Sequence, residues 1–157
     1  MEAPSVSVVL GELKKKPGGP KAEELLRHRM RYQLAGEDRM VERIRENIER
    51  FKRIFSGTVL DVGCYTGYLY HALGKPDGYT GLDNWPEAIK VAKEFAPEAN
   101  FICADVTTDE LGSYDYVWCS QTIENGGLSI EFVEKVRKAA RIKCFIVQSK
   151  SIDDCIS

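Results

Sequence analysis

The sequence predicts a doubly wound α/β domain with a mainly parallel sheet, helices on both faces and a helical cover in front of it. Two runs carry most of that expectation. Val59-Leu60-Asp61-Val62-Gly63-Cys64-Tyr65-Thr66-Gly67 reads as a buried strand, then a glycine turn that opens a helix, and Tyr79-Thr80-Gly81-Leu82-Asp83 reads as a second strand ending in an acid. The third observation is that strand-like and helix-like stretches keep alternating after residue 55 with short connections, which implies right-handed crossovers and helices on both faces.

The elements follow in order. A short strand is expected at Val6 to Leu10, then a flexible basic linker, Lys14-Lys15-Lys16-Pro17-Gly18-Gly19-Pro20. From Lys21 to Phe55 the pattern is helical and broken once near Gly36. In its second half Met40, Ile44, Ile48, Phe51 and Phe55 form one apolar stripe facing the sheet, and Glu46 with Arg50 and Glu49 with Arg53 are acid-first i,i+4 pairs on an exposed face. Strands are expected near Thr58 to Val62, Tyr79 to Asp83, Asn100 to Ala104, Tyr116 to Cys119 and Lys143 to Gln148. Between them lie helices near Gly67 to Leu73, Pro86 to Phe95 and Ile130 to Ala140, with a short turn near Asp109. Pro86 suits a first helical turn, Ser129 is a plausible N-cap, and Lys75-Pro76-Asp77-Gly78 is a turn. Residues 1–55 read as strand, linker and covering helices, and residues 56–157 as the core, within one globular domain.

A glycine turn followed by an acid after the second strand is the nucleoside end of such a sheet. The carboxylate accepts from both ribose hydroxyls, and the bare turn admits a ligand. Pyrophosphate dinucleotides need G-x-G-x-x-G, but Tyr65 and Tyr68 stand where the second and third glycines would be, and no G-x-x-x-x-G-K-[ST] run exists. The two tyrosines argue strongly against a nicotinamide dinucleotide, and a P-loop is excluded.

Asp61-x-Gly63-x-x-x-Gly67 resembles the first motif of class I S-adenosylmethionine-dependent methyltransferases, an acid-x-Gly-x-Gly-x-Gly run, with Tyr65 replacing the central glycine. The resemblance runs from about Ser56 to Ser149 and implies about five core strands in the order 3-2-1-4-5. It also implies S-adenosyl-L-methionine as cofactor. Asp83 matches the ribose acid, Asn84 follows it, and Trp85 resembles the wall against one adenine face. Asp105 and Val106, closing Asn100-Phe101-Ile102-Cys103-Ala104-Asp105-Val106, match the positions that meet the adenine amino group and a ring nitrogen. Tyr114 to Asn125 resembles the fourth strand and its loop, which in many small-molecule members ends Glu-His; Asn125 stands at the histidine position, so no general base carries over.

The cofactor residues so implied are Asp61, Gly63, Tyr65, Gly67, Asp83, Asn84, Trp85, Asp105, Val106 and Ser120. The sulfonium is already activated, so the protein mainly aligns a nucleophile with the methyl group and excludes water. Groups expected to face that methyl are Tyr32 from the cover and Ser120, Gln121 and Glu124 after the fourth strand, with Tyr32 and Glu124 as the catalytic candidates. The Asn-Pro-Pro-Tyr type motif of exocyclic amino methyltransferases is absent.

Composition fits this reading. The chain has 157 residues, 43% of them apolar and 29% charged, which excludes wholesale disorder. No run approaches the roughly 20 apolar residues of a membrane span, and no hydrophobic signal segment opens the chain, so a cytoplasmic location is expected. Cys64, Cys103, Cys119, Cys144 and Cys155 form no C-x-x-C pair and read as small hydrophobes, with neither a zinc site nor a nucleophilic thiol at Cys119 favoured. Residues 1–55 carry net charge +4 and the remainder −6, yet acids interleave the basic helix and no stacking aromatics alternate with it, so nucleic acid is not the favoured partner.

Two function classes stay open. One is a minimal methyltransferase acting on a small molecule or, as a further alternative, on RNA, DNA or protein; the other is a non-catalytic cofactor-binding or assembly module. The usual sheet of this family ends in an antiparallel hairpin, absent from this sequence, so the strand Lys143 to Gln148 is expected to leave an open edge. That edge is expected to be closed by a homodimer or by the Val6 to Leu10 strand.

Overall fold

The computed structural model describes residues 2–122 and 129–149, without the side chains at 121, 122, 148 and 149. Its centre is β1 (Val59–Val62), whose four residues are all buried because strands pair on both of its sides. β2 (Tyr79–Asp83) and then β3 (Asn100–Cys103) extend the sheet on one side, β4 (Tyr114–Thr122) and β5 (Ala140–Ser149) on the other. All pairings are parallel in the order β3-β2-β1-β4-β5, as expected, so the chain reverses its direction of winding beside β1. A crevice forms at such a point, past the carboxyl ends of the strands.

Side chains alternate along β1, so the two faces receive different cores. Leu60 and Val62 join Val117, Cys119 and Val136 under α6 (Ile130–Lys138). On the other face Val59 packs with Trp118, Tyr79 and Phe101 beneath α3 (Arg39–Ile54), α4 (Tyr68–Ala72) and α5 (Pro86–Phe95). Phe51 of α3 is fully buried there, its ring 5.3 Å from that of Trp118 and 5.3 Å from that of Phe55. Local signals explain the boundaries: Ser129 caps α6 by accepting from Phe132 N–H, Pro86 opens α5, and Glu46 pairs with Arg50 at 3.7 Å.

The N-terminus departs from expectation. Val6 to Leu10 is no strand but the start of α1 (Val6–Leu13), capped by Ser5 Oγ, which accepts from Val8 N–H. The reason is periodicity over a longer window: Val6, Val9, Leu10 and Leu13 sit at i, i+3, i+4 and i+7, one helical face, and Val9 and Leu13 are buried by it. This segment therefore does not pair with the sheet edge. The expected flexible linker is short, because α2 (Gly19–Leu34) begins at its second glycine, with Pro20 in the first turn. Leu25 and Leu26 of α2 join Ala88 and Val91 of α5 in a third cluster with α1. Bidentate Arg27–Glu94 contacts at 2.7 and 2.8 Å border that interface.

β4 and β5 are both longer than expected, because they pair with each other from Tyr114 and Ala140, the latter soon after α6 ends, through to Thr122 and Ser149. The Asp115 carboxylate accepts from Thr58 N–H and from Arg141, tying β1, β4 and β5 together at that end. Cys103 is exposed rather than buried, since β3 is an edge strand with only Phe101 buried. No helix among the described residues is long and apolar enough to cross a membrane.

Candidate functional site

The chain leaves β1 through a turn that is bound to the end of β2. Gly63 N–H and Cys64 N–H both donate to the Leu82 carbonyl, at 2.8 and 3.0 Å. Gly63, Tyr65 and Gly67 follow with φ of 75°, 57° and 86°. The Asp83 carboxylate then holds the turn from beneath. Its Oδ2 accepts from Tyr65 N–H and its Oδ1 from Trp85 N–H, both at 2.9 Å. Burial raises the pKa of Asp83, against those backbone donors. Each carboxylate oxygen keeps a further lone pair for a ligand.

One cavity of about 1030 Å³ opens over these strand ends. Asp61, Gly63 and Tyr65 line it from β1 and its turn, and Asp83, Asn84 and Trp85 line it from the end of β2. Asp105 and Val106 contribute after β3, and Ser120 contributes from β4. The sequence-expected residues are thus brought together from four strand ends, with two exceptions. Gly67 is absent from the lining: a Cβ there would lie 2.6 Å from the Phe101 ring, so its missing side chain serves helix-to-sheet packing instead of ligand approach. Tyr32 is absent as well, its hydroxyl donating to the Pro4 carbonyl on the α1 side of the cover. Glu124 and Asn125 lie outside the described residues, as do Cys155 and the side chain of Gln121.

Residues 59–142, which span β1 to the start of β5, match the methyltransferase domain family. The chain belongs to that family. Its class I, S-adenosylmethionine-dependent form is the one the motif residues imply, and the sheet order agrees. Over 86 residues this family member is 33% identical to the ubiquinone biosynthesis O-methyltransferase of Vibrio campbellii, covering 50% of the chain and 37% of that protein. In fold it resembles the plantazolicin methyltransferase BpumL, solved in complex with SAH, at a TM-score of 0.56 and 19% identity over 90% of this chain and 62% of that one. It also resembles the magnesium protoporphyrin IX methyltransferase of Synechocystis PCC 6803, solved with bound SAM. There the TM-score is 0.55 at 18% identity over 87% and 71% of the two chains. The chain spans little more than a third of the Vibrio relative's length.

Several cavity residues of this methyltransferase domain escaped the sequence reading. Arg29 and Gln33 reach the cavity from α2 and Lys14 and Lys16 from the α1–α2 turn. For α2 a signal existed. Ala22, Leu25, Leu26 and Met30 form its buried stripe, and Arg29 and Gln33 continue the same face, where polar groups require partners. Arg29 Nε donates to Asp38 Oδ2 at 3.1 Å, and Asp38, fully buried, caps α3 by accepting from Met40 N–H. Residues 32 and 33 flank residue 29 on opposite sides of the helix, and the Tyr32 side is taken up by its hydrogen bond to the Pro4 carbonyl.

Two acids in the cavity differ in their electrostatics. Asp61 is buried, which pushes its carboxyl up to about 7, although the Tyr79 hydroxyl donates to it at 2.5 Å; nearby Asp83 adds to the rise. Asp105 is held below its usual range by Thr107, whose hydroxyl and N–H donate to Oδ1 at 2.6 and 2.8 Å. Burial pushes the Cys119 thiol up to about 12, which leaves no thiolate nucleophile.

Proposed function

We propose that this chain binds S-adenosylmethionine across the ends of β1, β2 and β3 and transfers its methyl group to a small-molecule acceptor. The observation that carries the reading is Asp83: two backbone N–H groups orient its carboxylate on the wall of the cavity that Trp85 and Asp105 also line. In this reading Asp83 accepts from the ribose hydroxyls, Trp85 covers one adenine face, and Asp105 with Val106 meets the adenine edge. Asp61, Gly63 and Ser120 border the methionine end. The cofactor, when bound, supplies an electrophilic methyl group on a sulfonium. The protein holds the acceptor in line with it and keeps water out, and the α1–α2 cover supports that exclusion by lining the cavity from above.

S-adenosylhomocysteine should raise the melting temperature by binding the folded state, and Asp83→Ala should remove most of that rise. Because Asp83 also ties the turn to Trp85, the ligand-free variant should itself melt lower, a cost of about 1–3 kcal/mol for the stranded donors. A larger rise with NADH, or normal S-adenosylhomocysteine binding by Asp83→Ala, would overturn the site. Cofactor binding with no turnover in any acceptor assay would point to the non-catalytic class.

A homodimer through β5 is part of the same proposal. That strand pairs with β4 on one side, no described strand pairs on its other side, and Ile142 on it is 63% exposed. Light scattering should give twice the chain mass; a monomer at all concentrations would refute it.

A further inference from the structure

The apolar stripe of α3 divides between two destinations. Phe51 and the C-cap Phe55 pack into the sheet core, Met40 and Val41 line the cavity, and Ile44 and Ile48 between them touch both the core cluster and the cavity. Opposite them, Leu69 of α4 and the buried Trp118 of β4 line the same cavity. Met40 and Ile44 are only half-buried; of the charged residues of this helix stretch, Glu42, Arg45, Glu46 and Glu49 face solvent, while Arg43 is half-buried with one guanidinium nitrogen unpartnered among the described residues and stands outside the cavity lining. This end contrasts with the end formed by Asp83, Asn84 and Asp105, where carboxylates and an amide serve a nucleoside.

Apolar surface left half-covered inside a cavity is stabilised by an apolar occupant, and polar groups there would be costly for one. A cavity near 1000 Å³ is at the upper end for a single ligand, which leaves room for a second molecule beside a cofactor. We propose that the acceptor is an apolar small molecule, an aromatic or aliphatic body bearing one nucleophilic heteroatom, held against α3 by Met40 and Ile44. The inference rests on the methyltransferase reading above and names the substrate class of that site. The roof of α2 over the cavity, with Arg29 and Gln33 in its lining, favours a small ligand over a nucleic acid strand.

The test uses the full chain, with 4-hexylphenol as the apolar probe and phenol and uridine as comparisons. Binding is measured by calorimetry with and without saturating S-adenosylhomocysteine. Each buried methylene is worth roughly fourfold in affinity, so 4-hexylphenol should bind at least about 30-fold tighter than phenol, with S-adenosylhomocysteine already bound. Ile44→Lys, and Met40→Glu as a second variant one turn earlier, should each weaken it about tenfold or more while S-adenosylhomocysteine affinity stays within about twofold. Location is read from fluorescence. Trp85 and Trp118 are the two tryptophans of the chain, so in Trp85→Phe the probe should still quench the remaining one. S-adenosylhomocysteine binding without 4-hexylphenol binding would overturn this inference and leave the cofactor reading standing. Competition between the two ligands, or uridine binding as tightly as the probe, would also overturn it. Ile44-dependent probe binding in a protein that does not bind S-adenosylhomocysteine would instead sink the cofactor reading and support the apolar chamber.

Discussion

The guanidinium of Arg29 lies over the ring of Tyr65, 4.8 Å from its centre. One contact thereby joins the helical cover to the turn after β1, at the position where the family pattern has a glycine. The same guanidinium also meets the buried carboxylate of Asp38, so α2, the start of α3 and the turn share one charged anchor.

Arg29→Met should therefore destabilise far more than an exposed ion pair would. It leaves Asp38 charged, buried and without its cation, a loss on the order of 3 kcal/mol. Urea unfolding of Arg29→Met, Asp38→Asn and the double variant checks this. The double variant should be more stable than the Arg29→Met single variant, because the stranded charge is gone. An Arg29→Met midpoint equal to wild type would show that the anchor carries no weight.

Tyr65 holds φ of 57°, which costs a non-glycine residue about 1 kcal/mol or more. Its ring also packs edge-on to Trp85, centroids 5.6 Å apart, as well as under Arg29. Tyr65→Gly relieves the backbone but loses a half-buried aromatic with its contacts to Trp85 and Arg29, together worth about 2 kcal/mol, so a net loss of roughly 1 kcal/mol is expected. S-adenosylhomocysteine affinity should stay within about tenfold, near 1.4 kcal/mol, with turnover changing more than binding. Abolished binding in this variant would mean that the phenol itself holds the cofactor.

Asp61 provides a pH signature. Its folded carboxyl titrates at about 7 against an ordinary 3.8, so between those values the folded chain holds a proton that the unfolded chain has released. Its contribution to stability is thus fully present below the unfolded value and declines as pH rises toward the folded one, by at most about 1.4 kcal/mol per pH unit. Asp61→Asn, neutral at every pH, should lack that decline. Denaturation midpoints of both proteins across this window should show wild type losing ground to Asp61→Asn as pH rises; a gap moving the other way would contradict the buried, protonated acid.

Gly67→Ala should be among the costly small substitutions. The added methyl meets Phe101 at 2.6 Å and the backbone holds φ of 86°, so a loss above about 2 kcal/mol is expected. Adding Phe101→Leu should return part of it, because the clash is relieved while the left-handed backbone remains. If Gly67→Ala melts like wild type, then the glycine is not there for packing.

The sequence by itself determined the sheet. Strands such as Val59–Val62 and Tyr79–Asp83, and helices such as Pro86–Phe95, carry their own hydrophobic period and their own end signals, which act within a few residues of each other. The acids of the cleft were legible for the same reason, because Asp83 and Asp105 follow directly on strands whose order the fold dictates. Only the tertiary structure decided the rest. Whether Gly67 opens space for a ligand or makes room for Phe101 depends on a ring 34 positions along the chain, and whether Arg29 or Tyr32 reaches the cavity depends on how α2 rotates on α5. The division of the α3 stripe between core and cavity is of the same kind: Met40 and Phe51 are equivalent in period and alike in polarity. What separates them is that Trp118 and Phe145 fill the space opposite Phe51, while the space opposite Met40 is the cleft that the turn of winding leaves open.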